Sequence, residues 1–323
     1  MTTMFHCDRK GTRVRIASLL SSATEMLYGL GLGDQVVAVS HECDYPAGVV
    51  GKPRATFSHI QSESSSQAID EQVKALLAEG KPLYEIDTVK LIELKPDLVV
   101  TQAQCDVCAV RYEDVVDFVR GEPSLVDTQI VSLNPLNVAD VLRDIERIGL
   151  ATGRESRAAE WVSELESRIA TVRTTAAALP PERRPRVACI EWIEPLMCAG
   201  NWMPELIDWA GGVQTFSKPG VHSSYTPWDD LIEFDPQVIV VMPCGFDLAR
   251  TIHESQRLAE LPRWHDLTAV QLGEVYAVDG NAYFNRSGPR LVESLELLAS
   301  LINPGAFKRP EDQHAWKRLS ARR

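Results

Sequence analysis

The chain has 323 residues, 45% of them hydrophobic, with a formal net charge of −12 at pH 7, a pI near 5.1 and a mean hydropathy of −0.12. This length is sufficient for two lobes that each bury a core. The net negative charge argues against nucleic acid or an anionic membrane as the main partner, because both bind to positively charged surface patches. No segment approaches the roughly 20 apolar residues of a membrane span. We therefore predict a monomeric globular protein with a small-molecule ligand.

Strands and helices are predicted to alternate through the first lobe. Its predicted strands are at 14–19, 36–39, 98–101 and 130–133, and its helices begin at Ser21, near Gln67 and at Val89. Apolar runs that alternate with helical spacing are typical of a doubly wound, mostly parallel sheet.

Helical spacing then continues from Val138 to Leu179, where three prolines end it. Strands at 187–191 and 238–241, with helices at 203–210, 228–233 and 290–301, repeat the first lobe in outline. The predicted fold class is α/β, with two doubly wound lobes joined by a single long α-helix. The predicted domains are a first lobe at 1–137, a linking helical segment at 138–182, a second lobe at 183–307 and a polar tail at 308–323.

The run Gln104–Ala109 places two thiols, Cys105 and Cys108, directly after a predicted strand. Ligand crevices form at the edge where parallel strands end, so these thiols are placed for recognition or chemistry. His41 and Cys43 follow a neighbouring strand, and with Cys105 and Cys108 they would match a four-ligand zinc site. Equally, the thiols could pack in a loop, or His41 or a thiolate could be an axial ligand to cobalt or iron in a bound macrocycle.

The chain has seven cysteines, an odd number and too few for a disulfide scaffold in a chain of this length, so we predict reduced thiols. The first 15 residues contain no apolar stretch typical of an export signal. These two observations predict a cytoplasmic location, or a periplasmic one if an upstream export signal is missing from this chain.

Aromatic residues are concentrated in the second lobe. Trp192 and Trp202 lie near the end of a strand and the start of a helix, where a ligand could reach them, whereas Trp209 has the helical spacing of a core residue. A loop before the last helix contains Phe284 and Arg286, which offer a stacking face and a fixed donor group.

Four short motifs and the single linking helix resemble one family. The motifs are Ser-Ser-Ala-Thr-Glu at 21–25, Asp-Tyr-Pro at 44–46, Leu-Lys-Pro-Asp at 94–97 and Gly-Glu-Val-Tyr at 273–276. In this order they resemble the helical-backbone, class III substrate-binding proteins of ABC-type importers, in the family that binds cobalamin or iron chelates, and the cobalamin-binding branch most closely. The resemblance covers residues 14–307.

This resemblance implies non-catalytic binding of a corrinoid, haem or ferric siderophore in a cleft between the two lobes, with an ABC permease as a partner and no required cofactor. The ligand contacts it implies are Ser22, Ala23, Thr24, Tyr84, Gln104 and Cys105 in the first lobe, and Trp192, Trp202, Tyr225, Phe284 and Arg286 in the second.

The chain departs from the family in two ways. Exported members begin with a leader or lipid anchor, and they dock on the permease through an acidic residue of each lobe. Here Val89 and Lys90 lie near the acidic position of the first lobe, while Asp229 or Asp230 could serve in the second.

The sequence contains no Walker loop, nucleophile elbow or dinucleotide fingerprint, and we predict no catalytic residue. The alternative is a cytosolic metal- or thiol-active protein, an enzyme included, that uses His41, Cys43, Cys105 and Cys108.

Overall fold

The structure is a computed structural model that describes residues 14–103, 109–309 and 314–319. The chain divides into two units. Unit 1 contains the described residues of 14–61, 71–135 and 139–164, and unit 2 contains those of 62–70, 136–138 and 165–319.

Unit 1 is built on a four-stranded parallel sheet in the order β2-β1-β5-β6, with a separate antiparallel pair of β3 and β4. Its strands are β1 (Ile16–Ser18), β2 (Val36–Val39), β3 (Thr56–Ser58), β4 (Tyr84–Ile86), β5 (Leu98–Gln102) and β6 (Gln129–Leu133). The helices up to the linking region are α1 (Ser21–Gly29), α2 (Ser66–Ala78), α3 (Thr88–Leu94), α4 (Tyr112–Gly121) and α5 (Val138–Thr152). All five residues of β5 are buried, as expected for a parallel strand covered on both faces.

Unit 2 contains a six-stranded sheet in the order β12-β11-β10-β7-β8-β9. Its strands are β7 (Val187–Trp192), β8 (Met197–Cys198), β9 (Ser224–Tyr225), β10 (Val238–Val241), β11 (Val275–Val278) and β12 (Trp316–Arg318). Strands β7, β10 and β11 are parallel, and antiparallel strands extend the sheet on both sides, with β12 next to β11 and then β8 and β9 next to β7. Its helices are α7 (Met203–Trp209), α8 (Trp228–Phe234), α9 (Leu248–Glu254), α10 (Thr268–Leu272) and α11 (Leu291–Ile302).

A single long helix, α6 (Glu155–Ala177), contains the boundary between the units, which falls after Glu164. The preceding helix α5 ends before Gly153, whose φ of +67° most other residues would adopt only under strain. The predicted α/β class with one linking helix is confirmed. Among the described helices, none combines the length and apolarity required to cross a bilayer.

In unit 1, an arginine closes the helix that precedes the central strand. The Nε and Nη2 atoms of Arg15 donate to the carbonyl of Leu94 at 2.9 and 2.6 Å, and the Arg15 backbone N–H donates to Asp97 Oδ2 at 2.7 Å. Lys95 ends α3 with φ of +44°, in the left-handed region. The last carbonyls of a helix lack partners within the helix, so this guanidinium both satisfies α3 and ties it to the chain entering β1.

Unit 2 repeats this arrangement. Arg186 stands just before β7, and its Nε donates to the carbonyls of Phe234 and Asp235 at 2.9 and 2.8 Å. Asp235 ends α8 with φ of +45°, nearly the value at the end of α3. The same unit of helix, proline turn and central strand therefore recurs in both halves.

The segment 62–70 belongs to unit 2, although the chain on both sides of it belongs to unit 1. Ser66 is fully buried, and its N–H and Oγ donate to Glu254 Oε2 at 3.3 and 3.1 Å. Arg250 donates to the carbonyl of Ser64, and Tyr225 donates to Asp70 Oδ1 at 2.9 Å. Polar contacts to a buried carboxylate therefore fix this segment within unit 2.

Helix α5 carries a buried carboxylate, Asp144. Its Oδ1 accepts from Arg147 Nη1 at 2.6 Å, while its Oδ2 is buried without a hydrogen-bond partner among the described residues. Burial raises the pKa of Asp144 to about 7, against the opposing effect of Arg147.

Asp144 should make the stability of unit 1 pH-dependent. Because its pKa is raised on folding, its proton stabilises the folded state fully below pH ~4, and this contribution is lost as the pH rises to ~7. We expect the free energy of unfolding to fall by up to about 4 kcal/mol over that range. Asp144→Asn should remove this slope in urea titrations at several pH values, while Glu146→Gln, an exposed change on the same helix, should keep it. Parallel curves for wild type and Asp144→Asn would contradict the assignment.

Candidate functional site

The predicted contacts Ser22, Ala23 and Thr24 lie in the first turn of α1, directly after β1. All three are buried. Thr24 Oγ1 donates to Ser18 Oγ at 2.8 Å and lies 3.2 Å from Cys43 Sγ. The Thr24 side chain therefore braces the junction of β1, α1 and the loop after β2, and the role of all three residues as ligand contacts stays a prediction.

His41 begins the loop after β2 and is held by one side chain. Its backbone N–H donates to Thr56 Oγ1 at 3.0 Å, and its Nδ1 lies 2.7 Å from the same oxygen. Burial and then the charge of Arg54 lower the pKa of His41, so the neutral imidazole is favoured. The predicted contact Tyr84 lies beside it, with ring centroids 5.5 Å apart.

Arg54 fixes the loop that contains His41. Its Nη1 donates to the carbonyls of Ser40 and Cys43 at 2.9 and 2.6 Å. These two residues lie before and after His41 in the chain. Thr56 Oγ1 in turn donates to Ser40 Oγ at 3.1 Å. Sequence reasoning did not single out Arg54 or Thr56, although a charged residue just before β3, in a strand–loop–strand stretch, is a signal for such a clamp.

The predicted zinc cluster can be placed only in part. His41 and Cys43 are close in the chain, and Cys43 is buried. Gln104, Cys105 and Cys108 lie outside the described residues. Within residues 14–103, 109–309 and 314–319, no three His, Cys, Asp or Glu side chains are grouped so that they could hold a metal ion.

At the corresponding edge of unit 2, where β7 and β10 end, Trp192 is half-buried. Its ring centroid is 5.5 Å from that of Phe246, and the guanidinium of Arg250 lies 3.5 Å from the Phe246 centroid. Phe246 was missed from the sequence, although it follows β10 by a few residues and so lies at the same sheet edge as Trp192.

Glu191 precedes Trp192 in β7 and brings a carboxyl group to the same edge of the sheet. Ser223 Oγ donates to Glu191 Oε2 at 2.7 Å and accepts from the N–H of Gly200 at 2.8 Å. Burial raises the pKa of Glu191, so this carboxyl keeps its proton to a higher pH than an exposed glutamate.

Trp202, Phe284 and Arg286 are all buried. Trp202 is buried, and its indole N–H donates to the Phe284 carbonyl at 2.9 Å. Phe284 is fully buried, and Arg286 is buried with Nη2 donating to Asn281 Oδ1 at 2.9 Å. The structure thus brings Trp202 and Phe284 together, with Arg286 two residues farther along the chain, but the indole and the Phe284 ring lie mainly inside the protein.

Tyr225 differs from that group, since it lies on the edge strand β9 and is 55% exposed. It lines a pocket of about 440 Å³ within unit 2. The other residues of this pocket are Thr215, Phe216, Ser224, Thr226, Pro227, Asp230, Glu233 and Phe234. Asp230, a candidate for permease docking, therefore lies in the same depression as Tyr225.

The loops at this edge of unit 2 are packed backbone against backbone. A Cβ on Gly280 would lie 2.5 Å from the Pro243 carbonyl oxygen and 2.8 Å from the Met242 carbonyl carbon. Asn285 Nδ2 also donates to the Met242 carbonyl at 2.8 Å. The loop after β11 therefore positions the loop after β10, which carries Phe246.

The family model described as "Periplasmic binding protein" matches residues 16–282. The chain belongs to this family. The match covers the four-stranded sheet, the linking helix and all of the six-stranded sheet except β12, so the resemblance inferred from the short motifs is confirmed.

Individual relatives have low sequence identity to this chain, and the alignments cover most of both proteins. An uncharacterized ABC transporter substrate-binding lipoprotein of Bacillus subtilis is 25% identical over 298 residues, covering 91% of this chain and 81% of that protein. A vitamin B12-binding protein of Vibrio cholerae is 24% identical over 299 residues, covering 89% and 88%. A periplasmic heme binding protein from Pseudomonas aeruginosa shares the fold with a TM-score of 0.71 and 15% identity, over 96% of this chain and 99% of that one.

The predicted cytoplasmic location is wrong. The matched family is one of periplasmic binding proteins, and the relatives include a substrate-binding lipoprotein, which indicates an extracytoplasmic protein. The prediction relied on the composition of the first residues and on sparse cysteines, and neither property determines on which side of a membrane a folded protein works.

The packing of Gly280 generates a stability prediction. Gly280→Ala should lower the free energy of unfolding by about 1–3 kcal/mol, because the added methyl meets backbone atoms that cannot rotate away. Gly305→Ala is the matched control, since a Cβ there meets nothing within 4 Å. Denaturant titration of both variants tests this. Equal stability of the two would show that the loops can separate without cost.

Proposed function

We propose that this protein captures a metal-chelate ligand, a corrinoid or a haem, as the substrate-binding component of an ABC-type importer. The observation that carries the proposal is the match to vitamin B12-binding proteins along 88% of their length, within a family whose model covers residues 16–282. The placement of the ligand between the lobes stays a prediction from sequence.

Two aromatic side chains that are only partly buried suit a flat macrocycle. Trp192 at the end of β7 and Tyr84 at the start of β4 supply aromatic surface that can cover the faces of a large conjugated ring, and the fully buried Phe246 packs against Trp192. Arg250, whose guanidinium lies over Phe246, supplies a donor for carboxylate or amide groups at the ring periphery.

Glu191 adds a group of a different kind. Its carboxyl group, whose pKa burial raises, can donate to the carbonyl of a side-chain amide when protonated and accept from the NH₂ of the amide when ionised. A corrinoid carries such amides around its rim, whereas the rim of a haem carries carboxylates. Glu191 therefore favours the corrinoid of the two.

Binding without chemical change is part of the proposal, and it is supported by relatives named as binding proteins.

The proposed partner is a membrane permease. In unit 2, Asp229 and Asp230 open α8, whereas Val89, 64% exposed, opens the equivalent helix of unit 1. Docking that relies on acidic groups would thus depend mainly on unit 2. The alternative of a thiol- or metal-active enzyme is not supported by the comparisons.

The proposal is tested by titrating the protein with aquocobalamin and with ferric haem, following tryptophan fluorescence and the visible spectrum of the ligand. We expect saturable binding of one of them. Trp192→Ala should weaken it by about 10- to 100-fold, on the order of 1–3 kcal/mol, through lost aromatic contact.

Trp209→Ala is the matched control, since Trp209 is also partly buried but ends α7, at the far end of that helix from Trp202. It should leave affinity unchanged. If neither chelate binds with a Kd below about a millimolar, the proposed function is overturned. If the two variants weaken binding equally, Trp192 is not a contact.

A further inference from the structure

The last strand of the chain, β12, pairs with β11 at one edge of the six-stranded sheet. The pairing is antiparallel and places Lys317 opposite Ala277. Just beyond the strand, the N–H of Leu319 donates to the carbonyl of Val275 at 2.8 Å. β12 lies beyond residue 282, where the match to the family model ends, so its role has to follow from its own contacts.

Side chains attach β12 firmly to the sheet. The rings of Trp316 and Tyr276 meet edge to face, with centroids 5.8 Å apart, and Tyr276 is fully buried. Arg318 forms an ion pair with Glu274. Leu319 packs against the apolar cluster of unit 2. The strand is therefore held by apolar packing and charge as well as by its backbone.

The start of β12 contacts the turn that follows β11. The N–H of Asp279 donates to the carbonyl of Ala315 at 3.0 Å, and Ala315 is buried. Asp279 Oδ1 in turn accepts from the N–H of Ala282 at 2.7 Å and so caps the helical turn Gly280–Phe284. The backbone of β12 thus fixes the residue from which this turn begins.

The same turn holds the loop after β10, which borders the candidate site. The N–H of Asn281 donates to the carbonyl of Phe246 at 3.1 Å, and Asn285 Nδ2 donates to the carbonyl of Met242 at 2.8 Å. The ring of Phe246 packs on Trp192, with centroids 5.5 Å apart. A continuous series of contacts therefore leads from β12 to the half-buried indole.

We infer that β12 is a positioning element of the candidate site. Its pairing with β11 fixes the turn after β11, that turn holds Phe246, and Phe246 sets the orientation of Trp192. β12 acts through these loops without touching the ligand. Its effect on ligand affinity rests on the proposed function and deepens it, whereas its effect on the two loops requires no ligand.

The test is Lys317→Pro in the full-length protein. Hydrogen-bonded pairs alternate along an antiparallel ladder, so the bonds at Val275 and Asp279 make Lys317 and Ala277 such a pair. Proline removes the donor of Lys317. Hydrogen exchange without ligand should become about 3- to 10-fold faster in residues 279–286 and 243–247, the scale of one lost hydrogen bond.

Lys317→Ala is the matched control. It removes the side chain, which is exposed, but keeps the backbone donor, so exchange in both segments should equal that of the wild type. If Lys317→Pro does not fold, Trp316→Ala replaces it. That change removes the ring that packs on Tyr276, and it should accelerate exchange in the same two segments.

Ligand affinity supplies the second readout, with aquocobalamin and ferric haem as separate probes. Lys317→Pro should raise the Kd of the chelate that binds by about 3- to 10-fold, because the aromatic surface is no longer held in one orientation. A merely structural strand would instead lower the melting temperature, accelerate exchange evenly through β7 and β10, and leave the Kd unchanged well below that temperature.

The outcomes separate the two proposals. Faster exchange confined to 314–319, or spread evenly through unit 2, overturns the positioning role. If a chelate binds the wild type and Lys317→Pro equally well, that role is also overturned and the proposed function stands. If the wild type binds neither probe, the proposed function is overturned, while faster exchange in 279–286 and 243–247 alone still supports the hold of β12 on the two loops.

Discussion

The fold of each unit depends on an arginine that closes the end of a helix. Arg15 and Arg186 donate to the terminal carbonyls of α3 and α8, and each arginine stands directly before a strand that pairs with the following central strand. A helix end with unsatisfied carbonyls would be costly to bury, so this contact fixes the helix against the amino edge of the sheet. The strands then run to the opposite edge in a set register, and the loops that follow them carry the candidate site.

Much of this fold could be predicted from sequence because its signals are local. The apolar run that becomes β5 and the prolines that end the helical stretch after residue 179 each act over a few residues. The short strands β8 and β9 could not be predicted. Each has only two residues, and a strand that short is defined by its pairing partner rather than by any pattern of its own.

The candidate site residues were chosen by residue type and by their position at strand ends, and neither property determines exposure. Trp192 and Trp202 look alike in sequence. The structure separates them, since the indole of Trp202 donates to a carbonyl 82 residues away, while Trp192 remains half-buried beside Phe246. The state of His41 likewise depends on Thr56, 15 residues along the chain. Contacts of this kind follow from tertiary packing, which no local window of sequence contains.

The segment 62–70 has a consequence for how the protein is made. Ser66 leaves the ribosome early, yet its hydrogen-bond partner Glu254 is synthesised 188 residues later. At about 5–20 residues per second, this part of the chain waits on the order of ten seconds or longer for the partner that buries it. Unit 2 therefore cannot assemble as a contiguous block after unit 1. During synthesis, the amino-terminal half carries an unfinished piece of its neighbour, which only the last third of the polypeptide can complete.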